Sequence, residues 1–115
     1  MNNIELLLFT KNIEIINCIA IGDYTKLRND GCLKFITKSD IISILEEYGG
    51  DVSTVDEKYN GRYRFVQCKN KNMFITFADL IIDGKVSDLT LICEISVSED
   101  MNSIENTIIE DLHVL

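Results

Sequence analysis

Asp88-Leu89-Thr90-Leu91-Ile92-Cys93-Glu94-Ile95-Ser96-Val97 decides the fold class. In an extended chain Leu89, Leu91, Cys93, Ile95 and Val97 point one way and Thr90, Ile92, Glu94 and Ser96 the other, because strand side chains alternate with a period of two. A helix would scatter the same residues around its axis. The stretch therefore predicts a strand with one face on a core and one facing outward, Leu91 inside and Thr90 outside. Further extended segments lie on both sides of it. Upstream, Asp83-Gly84 is a turn signal that ends an apolar, aromatic strand over residues 73–82. Asn70-Lys71-Asn72 separates that strand from another over residues 62–69, which hold Tyr63, Phe65, Val66 and Cys68. Downstream, residues 98–102 turn, and residues 103–115 make a last, partly polar strand.

Before residue 51 the period is helical. Ile4, Leu7, Leu8, Ile15, Ile16 and Ile19 recur at helical spacing over residues 1–21, behind Asn2 or Asn3 as a cap. Leu6-Leu7-Leu8-Phe9 taken alone also suits a strand. Gly22 closes the helix, Asp23 can cap a short second one over residues 24–28, and Gly31 stops it. Residues 38–48 follow Thr37 or Ser39 as a cap, carry Ile41, Ile42, Leu45 and Tyr48 on one face, and end at Gly49-Gly50. Residues 51–60 are polar and irregular, hence a loop. Helices first and strands after them predict an α+β domain over residues 1–115, with two to three N-terminal helices packed on a curved four-stranded antiparallel sheet.

Charge is unevenly placed. Residues 1–71 hold ten acids and ten bases, whereas residues 72–115 hold nine acids and only Lys85, so the whole net charge of −8 lies in the second segment. Such a balance argues against nucleic acid or an anionic membrane as partner and for a basic one. Arg62, Arg64, Lys69 and Lys71, interleaved with Tyr63 and Phe65, form only a small basic strip. No apolar run reaches the roughly 18 residues of a bilayer span, and a cytoplasmic location is expected. Cys18, Cys32, Cys68 and Cys93 contain no CxxC or CxxH spacing and sit among apolar neighbours, which predicts four free thiols and no metal site.

Catalytic chemistry needs convergent groups. The only histidine, His113, can pair with Asp111 two residues back on a strand, but no nucleophile is marked beside them. Asp88 and Glu94 share a face by parity yet stand about 20 Å apart, too far to act on one bond. Glu46-Glu47 and Glu99-Asp100 read as solvated charges. The glycine turns have no phosphate-loop frame, and no cofactor is indicated.

Three segments together carry a resemblance: Gly22-Asp23-Tyr24, Gly84-Lys85-Val86-Ser87-Asp88-Leu89-Thr90-Leu91 and Asp111-Leu112-His113-Val114-Leu115. They resemble a family of small, acidic bacterial domains associated with the immunity proteins of polymorphic or contact-dependent toxin systems. The order of elements is also similar to NTF2-like and cystatin-like layouts. The resemblance implies a non-enzymatic protein that binds and neutralises a cognate, basic toxin. Asp83, Asp88, Glu94, Glu99, Asp100, Glu105 and Glu110 are its expected contact residues. The competing expectation is an NTF2-like small-ligand binder or enzyme, its pocket between helices and sheet lined by Tyr48, Tyr63, Phe74 and Phe77.

Overall fold

A computed structural model describes residues 2–115. The first helix, α1 (Asn3–Ile21), is capped by Asn2, whose side chain accepts the Glu5 backbone N–H at 2.9 Å. Gly22, at φ 75°, ends it in the left-handed region, where its N–H reaches the Cys18 and Ile19 carbonyls. The whole Leu6–Phe9 stretch is helical; the apolar stripe that continues to Ile19 decides against a local strand. Asp23 caps α2 (Tyr24–Asn29). Of the two candidate caps for α3 (Lys38–Tyr48), Thr37 is the one used: its hydroxyl accepts from Asp40 N, and the Asp40 carboxylate accepts from Thr37 N. That second bond holds the Asp40 carboxyl below its ordinary range.

The strands are β1 (Tyr63–Gln67), β2 (Met73–Ile82), β3 (Lys85–Val97) and β4 (Ile104–Val114). They form one antiparallel meander in the order β1-β2-β3-β4. β3 begins three residues earlier than the alternating stretch suggests, because the tight Asp83-Gly84 turn pairs Ile82 directly with Lys85. Residues 51–60 have no regular structure apart from a bridge between Val52 and Ile82 that lengthens the edge beyond β1. Asn17 of α1 ties this loop down, donating to the Val55 carbonyl and accepting from its N–H at 2.9 and 2.7 Å. Gly50 is needed here. A Cβ on it would lie 2.6 Å from both Ile82 and Asp83, and its φ is 87°.

The three helices cover one face of the sheet. Leu8, Ile15 and Ile16 of α1 share one buried cluster with Leu91, Cys93 and Ile95 of β3, all at most 1% exposed. The inner face of β3 is therefore the one its alternation indicates. One polar pair crosses this core: Asn12 donates to Thr76 Oγ1 at 3.0 Å, leaving neither side chain unpaired. The chain's accessible surface, 6450 Å², matches the roughly 6,400 Å² that its mass implies for a well-closed domain. Cys18, Cys32 and Cys93 are buried, Cys68 is half-buried, and all four are free thiols. Burial pushes the Cys32 thiol up to about 11, so these groups act as small apolar side chains.

The opposite face carries no helix, and three irregularities shape it. β3 has two more residues than β2 between the Asp79–Thr90 and Ile81–Val86 pairs. β4 has one extra residue at Glu105 and another at Glu110. The extra residue at Glu110 resets the alternation: Ile109 and Leu112 both turn inward although three residues apart, while Asp111 and His113 turn outward. Thr90 corrects the expectation of an exposed outer residue. It is 1% exposed, because its hydroxyl donates to Asp79 at 2.6 Å under the Arg62 side chain.

Candidate functional site

The seven acids singled out in the sequence do not form one surface. Asp83 sits at the tip of the β2–β3 turn and accepts the Asp51 N–H at 2.9 Å. Asp88, in the irregular stretch of β3, accepts the Tyr48 hydroxyl at 2.7 Å, which ties it to the end of α3 rather than to Glu94. That bond raises the Tyr48 phenol above its ordinary value. Glu99 and Asp100 occupy the β3–β4 turn. There Asp100 accepts from Ser98 Oγ and Asn102 N, bonds that hold its carboxyl below the usual range. Glu105 is an exposed extra residue near the start of β4. Only Glu94 and Glu110 meet. The Glu94 carboxylate beside it pushes the Glu110 carboxyl upward, with Asp111 adding to the same effect.

The side chains of the expected aromatic pocket are separated as well. Phe74 is in the core at 3% exposure, Phe77 is on the outer face, and Tyr48 is exposed at the end of α3. Tyr63 packs edge-on against Phe9, ring centroids 5.4 Å apart. The Asp111–His113 pair does form, with Oδ2 and Nδ1 2.6 Å apart, on the exposed end of β4. No serine, threonine or cysteine is hydrogen-bonded to that imidazole among the described residues. Nor do the described residues bring three or more His, Cys, Asp or Glu groups together around a metal-sized space. No described helix is long and apolar enough to cross a membrane.

One polar cluster had no signal in the sequence. Asp79 lies in an apolar strand yet is 3% exposed. Its two oxygens accept from Thr90 Oγ1 and from Arg62 Nε at 2.6 and 2.9 Å. Both partners of this carboxylate belong to the chain itself, which suits a structural tie of β2 to β3 and to Arg62, the residue before β1.

What the fold does assemble is a groove between α3 and β4. α3 buries Ile41 fully and Ile42, Ile44 and Leu45 only in part, so it leans on the sheet along a narrow stripe. Beside it run two adjoining hollows that share Ile44. One, of about 470 Å³, is lined by Glu47, Tyr48, Leu89, Leu112 and Val114 among others. The other, of about 360 Å³, is lined by Phe35, Ile36, Asp40, Ser43 and Glu110 among others. Phe35, Tyr48 and Val114 are 59%, 38% and 49% exposed, unusual values for such side chains in one neighbourhood. Asp40, Glu47, Glu110 and Asp111 lie along the groove, with His113, and Lys34 stands 5.5 Å from the Phe35 ring centre. The hollows thus combine an apolar floor with an acidic rim. Of the seven acids expected from sequence, Glu110 lines this groove and Asp88 stands at its mouth through Tyr48.

No curated protein and no solved structure matches the chain. A family model does, over residues 16–115, a span that takes in all four strands and all of α2 and α3. The chain belongs to the family described as Domain of unknown function (DUF7668).

Proposed function

We propose that the chain is a binding protein of the immunity type, which neutralises a basic cognate toxin by seating part of it in the α3–β4 groove. The observation that carries this reading is the coincidence of exposed Phe35, Tyr48 and Val114 with the carboxylates of Asp40, Glu47 and Glu110. Apolar side chains that stay in water in the free protein gain most when a partner covers them. The carboxylates around them favour a partner rich in lysine and arginine, and steer its approach. The net charge of −8 extends that steering over the whole molecule. The filled interior between helices and sheet supports a scaffold role for the rest of the chain.

The test is binding to the product of the neighbouring reading frame, measured by calorimetry on purified proteins. Phe35→Ser should weaken that complex by about 2 kcal/mol or more, the range of an interface anchor. Leu6→Ser, an equally exposed apolar position on α1, should leave it unchanged. Equal losses at both positions, or none at Phe35, would remove the groove from the account.

A further inference from the structure

The strand register sets four outward side chains in one row across the uncovered face of the sheet: Arg64 opposite Phe77, Phe77 opposite Ile92, and Ile92 opposite Asp111. Read from β1 to β4 the row is cation, aromatic, aliphatic, anion. Its two charged ends are held. The Arg64 guanidinium carbon lies over Phe77, 3.8 Å from the ring centre. Asp111 accepts the Leu112 N–H on one oxygen at 2.7 Å and faces His113 Nδ1 with the other. Arg64 has no ion-pair partner among the described residues. It cannot reach Asp111 of its own chain, three strand spacings or about 14 Å away.

We propose that this face is a homodimer interface, in which a second copy packs sheet to sheet about a twofold axis parallel to the strands. That operation lays β1 over the partner copy's β4, so each row meets its own reverse. Arg64 then stands against Asp111 of the other copy, twice, and Phe77 against Ile92, twice. The next row, Val66–Ile75–Glu94–Ile108, sets Val66, 48% exposed, over the other copy's largely buried Ile108, and Glu94 over its Ile75. Packed sheets lie about 10 Å apart, within reach of an arginine and an aspartate extended toward each other. Such a contact is isologous and closes at two copies, leaving no open end for further growth. Glu94 lies within this contact beside Glu110, whose raised carboxyl shares a hydrogen bond with it; acids outside the contact repel at long range, an effect confined to about 8 Å at physiological salt. Asp111 also borders the α3–β4 groove, but the dimer is read by sedimentation of this chain alone, with no toxin present.

Sedimentation equilibrium of the full chain at physiological salt, up to roughly 100 μM, tests it, since modest interfaces are populated in that range. The wild type should sediment as a dimer. Arg64→Glu and Asp111→Lys, each confirmed as folded by circular dichroism, should each sediment as monomers. An equal mixture of the two should return a mixed dimer, because both cross-interface pairs are then opposite in charge. Asp111→Asn preserves the side-chain shape and covers the chance that lysine there disturbs folding. It should weaken the dimer about tenfold. A monomeric wild type, an Arg64→Glu dimer, a mixture of folded variants that stays monomeric, or an unweakened Asp111→Asn dimer would each overturn the proposal.

Discussion

α1 and α3 are both well-capped helices of ordinary composition, yet they are attached to the sheet very differently. α1 buries Leu8, Asn12, Ile15, Ile16, Cys18 and Ile19, a stripe that runs most of its length. α3 fully buries Ile41 alone. Caps are local and decide where a helix starts; the width of the apolar stripe decides how firmly it is held. α1 is therefore scaffold. α3 is held firmly enough to shape a groove and loosely enough to leave that groove's apolar side chains in water.

The comparison can be broken by mutation. Ile16→Ala removes a side chain with no exposure from a filled core and should lower the unfolding free energy by about 2–5 kcal/mol in urea titrations, with a single transition for all elements. Ile41→Ala should cost about 2 kcal/mol, at the lower end, because half-buried neighbours can close around the gap. Hydrogen exchange should show that cost as lost protection in residues 38–48, with β3 amides unchanged. Loss of protection throughout would mean that α3 is as integral as α1.

The smallest expected effect concerns Glu110, on the strand that faces α3. Its folded pKa is raised by Glu94, so the folded state holds this proton more tightly than the unfolded chain. Stability from this group is full below the ordinary glutamate value of 4.5 and is lost as pH rises through the folded one. Glu110→Gln should thus raise the melting temperature slightly at pH 7 and leave it unchanged near pH 4. A gain of equal size at both pH values would contradict the shared-proton account.

How much of this was legible in the sequence follows the same division. Strand alternation in residues 88–97 and caps before residues 3 and 38 are local signals, and the elements they define are present within a few residues. The extra residues in β4 left a trace too: Ile104 to Thr107 and Ile109 to Leu112 are spaced by three, which an unbroken strand cannot place on one face. Acids counted along a chain carry no direction. Asp88 was drawn to α3, Asp100 to its own turn and Glu110 to Glu94, so a charge confined to one half of the sequence did not become a charge on one face. Nor does an apolar strand announce that its one carboxylate, Asp79, will be paired with Thr90 on β3 and with Arg62 just before β1. The groove depends on where α3 rests against β4, a long-range matter no local pattern encodes.

Association kinetics test most directly whether the acidic, apolar groove receives a basic partner. The rate constant for the product of the neighbouring reading frame should fall steeply between about 0.01 and 0.1 M salt, as the Debye length drops from about 30 to about 10 Å. Glu47→Lys combined with Glu110→Lys should slow association at low salt and flatten that dependence, in protein whose melting temperature is checked alongside. Association indifferent to salt and to both reversals would contradict the account.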